Sequence, residues 1–239
     1  MGAHQPQLKV KIFADGADIE GILRLSRDPV IAGFTTNPTL MRQSGITEYE
    51  GFARKVLDHV EHLPVSFEVF SDDFDDMARQ ARRIAAWGSN VYVKIPVTNT
   101  RGESSAELVR DLSSDGLHLN VTALMTVEQV RLMRDALADG PEAVVSVFAG
   151  RVADTGCDPV THMQECLEVL AGHPNLELLW ASPREILNVY QADMIGCHII
   201  TVTHDLLGKL ALRSKDLDAY SLETVEMFHR DAQASGYIL

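Results

Sequence analysis

Val91-Tyr92-Val93-Lys94-Ile95-Pro96-Val97 is a short, nearly unbroken apolar run, rich in β-branched residues, with one lysine at its centre. That length and composition fit a strand buried on both faces, as in a parallel sheet covered by helices. A lysine inside such a strand is out of place. Desolvation disfavours its charge, so its neighbours on other strands need to be found.

Seven further runs of the same kind lie at 9–14, 30–34, 65–70, 117–122, 143–148, 176–181 and 197–202. Between them come helix-like stretches at 17–26, 46–59, 72–86, 105–114, 127–137, 160–171 and 183–191. In the stretch from Asp72, Phe74, Met77, Ala78 and Ala81 recur at helical spacing. Eight strands alternating with helices over 239 residues match the count and size of an α/β TIM (β/α)8 barrel. The competing doubly wound sheet usually carries a glycine-rich first βα turn. Here that turn reads Phe13-Ala14-Asp15-Gly16-Ala17-Asp18, without GxGxxG. No linker or low-complexity segment interrupts the chain, so a single barrel domain over residues 1–239 is expected. The tail at 221–239 reads as an additional C-terminal helix, able to cap the barrel or reach a neighbouring subunit.

The formal net charge is −13, with no basic footprint for nucleic acid. No apolar run reaches the ~18–20 residues that span a bilayer. The start, Met1-Gly2-Ala3-His4-Gln5-Pro6, lacks a signal-peptide pattern, and a cytoplasmic location is expected. Cys157, Cys166 and Cys197 form no CxxC pair and are expected as buried or half-buried thiols rather than a disulfide framework. His118, His198 and His204 lack HxxxH or HxH partners, so no metal site is expected. An acidic chain can still hold an anionic metabolite through a local group of arginines.

Barrel active sites form at the C-terminal ends of the strands. Those ends carry Asp15; Thr35-Thr36-Asn37-Pro38-Thr39; Glu68; Lys94; Asn120-Val121-Thr122; Ser146-Val147-Phe148-Ala149-Gly150-Arg151; and Ala181-Ser182-Pro183-Arg184. A neutral lysine amine attacks a ketone to give a Schiff base, an electron sink for carbon–carbon cleavage. A carboxylate from another strand end can take the hydroxyl proton, and Glu68 with Thr122, through a water, can shuttle protons during dehydration. Each residue alone has a structural reading. Lys94 fits an ion pair with Glu68 or Asp15; Asp15 fits the N-cap of the first helix; Thr36-Asn37-Pro38 fits a turn that starts a helix; Arg151 and Arg184 fit surface arginines. The conjunction of polar groups at seven successive strand ends around one lysine points to catalysis.

The Thr35-Thr36-Asn37-Pro38-Thr39, Val93-Lys94-Ile95-Pro96-Val97-Thr98 and Ser146-x-Phe148-x-Gly150-Arg151 blocks, in this order, resemble the transaldolase family. The likeness is greatest to its short subfamily, which includes the fructose-6-phosphate aldolases. It implies a Schiff base on Lys94, acid/base work by Asp15 and a catalytic water held by Glu68 and Thr122. It implies substrate binding by Thr36, Asn37, Asn120, Ser146 and Phe148, and phosphate binding by Arg151, Ser182 and Arg184. It implies sugar-phosphate substrates, no cofactor, and a homo-oligomer, pentameric or decameric in short members. Transaldolases generally carry Glu and Phe where this chain has Glu68 and Phe148, whereas fructose-6-phosphate aldolases carry Gln and Tyr. The chain departs from the pattern at Gly16, Ala17, Val147 and Pro183 and at Thr201-Val202-Thr203-His204. The expected activity is dihydroxyacetone transfer from sedoheptulose 7-phosphate or fructose 6-phosphate to an aldose phosphate. The alternatives are an aldolase releasing free dihydroxyacetone, a transaldolase for another anionic ketose, and a barrel that binds without catalysis.

Overall fold

The computed structural model describes residues 8–237. Eight parallel strands run in sequence order: β1 (Lys11–Asp15), β2 (Ile31–Thr35), β3 (Val65–Glu68), β4 (Val91–Pro96), β5 (Leu119–Leu124), β6 (Ala143–Val147), β7 (Leu176–Trp180) and β8 (Ile199–Thr203). The last returns to the first, Lys11 opposite Ile199 and Asp15 opposite Thr203, so the sheet closes. Between strands lie α1 (Ile19–Leu25), α2 (Pro38–Gln43), α3 (Tyr49–Leu57), α4 (Phe74–Ala85), α5 (Ala106–Ser114), α6 (Val127–Leu137), α7 (Ala149–Asp154), α8 (Pro159–Leu170) and α9 (Leu187–Met194). After β8 come α10 (His204–Leu207), a 3₁₀ turn (Gly208–Leu212) and α11 (Leu217–Ser235). The TIM barrel with an additional C-terminal helix is therefore present.

The alternation on β4 shows why these runs become barrel strands. Val91, Val93 and Ile95 are buried. At roughly 1.5–3 kcal/mol for each large aliphatic side chain removed from water, one such face contributes substantially. Tyr92, Lys94 and Pro96 are half-buried on the alternate positions. Helix α4 supplies the matching pattern at helical period. Its Met77, Ala81 and Ile84 are buried, Asp73 caps its first turn by accepting from the Asp76 N–H at 3.0 Å, and Arg82 and Arg83 sit in its last turn.

Inside the barrel, Phe13, Val144, Leu179, Ala181 and Ile199 form a buried cluster, with Ala32, Tyr92 and Phe148 packed against it. Gly33 belongs to this packing: a Cβ there would lie 2.6 Å from the Phe13 ring. Strand β5 departs from regularity near its C-terminal end. Thr122 and Ala123 together span the step that Ser146 alone spans on β6, and Ala123 adopts φ 65°. Such a bulge re-aims side chains at a barrel rim.

The chain divides into two compact units, one ending at Leu207 and one beginning at Gly208. In the second, α11 starts at Leu217, four residues before the expected stretch. Asp216 caps it by accepting from the Ala219 N–H at 2.8 Å. Among the described residues no helix is long and apolar enough to cross a membrane. The three cysteines are free; Cys166 and Cys197 are buried, as the sequence suggests, but Cys157 is exposed in the turn after α7.

Candidate active site

Neighbouring strands set the first contacts of Lys94. The register places it between Glu68 on β3 and Asn120 on β5. Its Nζ donates to the Thr36 carbonyl oxygen at 2.6 Å and lies 3.9 Å from Glu68 Oε2. Both side chains are largely withdrawn from solvent, 12% and 7% exposed. Thr36 thus acts through its backbone as well as its side chain, whose Oγ1 donates to the Ser66 carbonyl at 3.0 Å and to Glu68 Oε2 at 3.3 Å.

Glu68 is buried, and its Oε1 has no hydrogen-bond partner among the described residues. Burial pushes its carboxyl up to about 7. The Lys94 charge pulls it back, the Asp15 charge adds to the rise, and the Thr36 bond opposes it. A carboxyl raised above its unfolded range binds protons more tightly in the folded state. Stability then falls as pH climbs from about 4.5 to about 7 and levels off above. Glu68→Gln should remove that slope, so the variant's gain over the parent grows from pH 5 to pH 8. Denaturant unfolding at the two pH values measures this, and equal differences at both would show that Glu68 does not titrate in the window.

Asp15, at the end of β1, is not the cap of α1. Asp18 takes that role by accepting from the Gly21 N–H at 2.8 Å, which leaves Asp15 for the barrel mouth. Asp15 Oδ1 accepts from Thr35 Oγ1 at 2.7 Å, and Oδ2 accepts from Asn37 Nδ2 at 3.3 Å. Asn37 holds two posts: its Oδ1 caps α2 by accepting from the Leu40 N–H at 2.9 Å, with Pro38 opening the helix. The residue that starts the helix thus also lines the cavity. Thr35 is in turn 2.5 Å from Thr201 Oγ1 on β8.

Asn120 is buried between two serines, donating to Ser66 Oγ at 3.0 Å and accepting from Ser146 Oγ at 2.6 Å. The Arg151 guanidinium lies 5.4 Å from the centre of the Phe148 ring. Gly150 lets α7 approach the loop after β7: a Cβ there would lie 1.5 Å from the Ser182 carbonyl oxygen, so no side chain fits. Ser182 itself adopts φ 57°, an uncommon conformation for a residue with a side chain.

A cavity of about 540 Å³ joins these groups at the C-terminal ends of the strands. Asp15, Asn37, Glu68, Lys94, Asn120, Thr122, Ser146, Phe148, Arg151 and Ser182 all line it. Of the expected set, Thr36 and Arg184 are outside the lining. Thr36 touches Lys94 from behind, and Arg184 is engaged by Asp154, its Nε donating to Oδ1 at 3.0 Å. Thr35, Thr201 and Thr203, named at their strand ends without a role, and Gln43 also line the cavity. The threonines share the two-residue alternation of their strands and could have been found from it. Gln43 lies at the end of α2, a six-residue helix too short to show a period.

Fold and site together define a (β/α)8 barrel of the enzyme class, with one lysine and two carboxyl-bearing residues lining the mouth at the strands' C-terminal ends. Residues 12–237 match the model of the transaldolase/fructose-6-phosphate aldolase family, and the chain belongs to that family. It is 34% identical over 202 residues, 84% of this chain and 90% of the relative, to a "probable transaldolase" of Dehalococcoides mccartyi. It is 31% identical over 206 residues, 84% of this chain and 87% of the relative, to a "probable transaldolase" of Nitrosopumilus maritimus. Among solved structures, mandelate oxidase superposes with a TM-score of 0.55 at 17% identity, over 80% of this chain and 64% of that one, a likeness of fold alone. The protein is a transaldolase-type enzyme.

Proposed function

We propose that this enzyme transfers a dihydroxyacetone unit from a ketose phosphate, sedoheptulose 7-phosphate or fructose 6-phosphate, to an aldose phosphate through a Schiff base on Lys94. The observation that carries the reading is one cavity holding the Lys94 amine and the carboxyl groups of Glu68 and Asp15. The amine adds to the donor's ketone carbon, and the carbinolamine loses water to give the iminium. Glu68 and Thr122 hold the water that carries protons in this step. Asp15 accepts the proton of the C4 hydroxyl as the C3–C4 bond breaks, and its electrons pass into an enamine. The aldose product leaves, the enamine adds to an acceptor aldehyde, and Asp15 returns the proton. Hydrolysis of the new iminium frees Lys94. Asn37, Asn120 and Ser146 hold substrate hydroxyls; Arg151, Ser182 and Arg184 bind the phosphate, with guanidinium forks suited to it. The reaction needs no metal or organic cofactor.

Phe148 and Glu68 support transfer over release of free dihydroxyacetone. A phenyl ring has no hydroxyl to pass a proton to the enamine, so the three-carbon unit waits for an acceptor. Fructose 6-phosphate cleavage should therefore depend on added aldose phosphate, and Phe148→Tyr should release dihydroxyacetone without it. Equal release by the parent enzyme with and without acceptor would leave the aldolase reading in its place.

We also infer a homo-oligomer, a pentamer or decamer as in short family members, with α11 in the subunit contact. Leu217, Tyr220, Leu222, Val225, Met227 and Phe228 of this helix are all exposed. Phe228→Glu should lower the number of subunits seen by native mass spectrometry, and an unaltered assembly would remove α11 from the contact.

A further inference from the structure

The two arginines of the proposed phosphate grip are in different states. Arg151 lines the cavity, packs over the Phe148 ring and has no ion pair among the described residues. Arg184 is already taken. Its Nε donates to Asp154 Oδ1 at 3.0 Å and its Nη2 donates to Asp154 Oδ2, a two-bond fork of the kind a phosphate would otherwise receive.

Neither member of the pair lines the cavity, but each follows closely on a residue that does. Asp154 stands three residues beyond Arg151 at the end of α7, and Arg184 two residues beyond Ser182. Helix α7 and the loop after β7 that carry them are pressed together, with the Gly150 N–H donating to the Ala181 carbonyl at 3.3 Å and no room for a side chain at Gly150. Both members are about half exposed, 50% for Arg184 and 52% for Asp154. An ion pair that open to water is weak enough to be exchanged.

We propose that Asp154 is a specificity-determining residue, an internal carboxylate that competes with the substrate's phosphate for the Arg184 fork. This rests on the reading above that Arg184 belongs to the phosphate grip. Any anionic end that uses the fork must first displace Asp154, whereas a neutral sugar end meets no such competition. The pair therefore damps the advantage of phosphorylated over unphosphorylated substrates. Arg151, unopposed, remains the cation that receives the anion on arrival.

Competition has a signature that a structural role lacks. Asp154→Asn keeps the size of the side chain at a half-exposed position and frees Arg184. The KM for fructose 6-phosphate should fall by about two- to fivefold, the range an exposed ion pair is worth. The KM for fructose should not move. In an Arg184→Ala background, Asp154→Asn should have no effect on either donor. An unchanged KM for fructose 6-phosphate in Asp154→Asn overturns the proposal. A raised KM also overturns it, because Asp154 would then be holding Arg184 in place for the phosphate. If Arg184→Ala alone leaves the KM for fructose 6-phosphate unaltered, Arg184 is outside the grip and the proposal falls with that assignment. Borohydride trapping of Lys94 with fructose 6-phosphate in the same variants reports separately on the Schiff-base reading.

Discussion

Lys94→Met should lose at least about a thousandfold in turnover, the scale expected when a covalent nucleophile is removed. It should also give no adduct when borohydride is added with fructose 6-phosphate, whereas the parent enzyme gains one at this residue, located by mass spectrometry. Among the described residues no other lysine lines the cavity to stand in for it. Methionine matches the length of the lysine stem and suits the half-buried position. The variant should fold, for a reason that lies in Glu68. The Lys94 charge is the main influence holding that carboxyl down against burial. Without it Glu68 takes a proton and is neutral at pH 7, so no unpaired buried charge remains. An intact far-ultraviolet spectrum with substantial residual turnover would refute the Schiff-base role.

Asp15→Asn should separate binding from cleavage. Its hydrogen-bonded frame, Thr35 on one oxygen and Asn37 on the other, is arranged for a carboxylate that only accepts. An amide at position 15 keeps the size, but its NH₂ meets the donor of Thr35 or Asn37. The Lys94 adduct should still form, because the amine and Glu68 are untouched. Cleavage of the C3–C4 bond should slow by about 10²–10⁴-fold, as for loss of a positioned base. Loss of the adduct along with turnover would instead place Asp15 in Schiff-base formation.

Strands were legible because burial on both faces makes them apolar runs, and every run found along the chain became one of β1–β8. Of the short helices, only the start of α2 at Asn37-Pro38 was legible. Helices α2 and α7 have six residues each, too few to show a period. The start of α11 hid behind Asp216, whose capping role depends on backbone geometry rather than on a hydrophobic pattern. In the site, residues at strand ends could be read because the barrel alternation points them inward. The engagement of Arg184 could not, since its partner Asp154 is 30 residues away and joined only by the folded loops. The use of the Thr36 carbonyl by Lys94 was equally out of reach, because any residue type offers a carbonyl.

The short contact between Thr35 and Thr201 spans 166 positions of the chain. It ties the frame of Asp15 to the last strand to be synthesised. Strand β1 gains its second edge only when β8 arrives, so the aspartate's surroundings and the barrel's seam are completed in one event. A nascent chain emerging from the ribosome holds Lys94 after fewer than 100 residues, but the hydrogen-bonded surroundings of Asp15 are complete only at roughly twice that length.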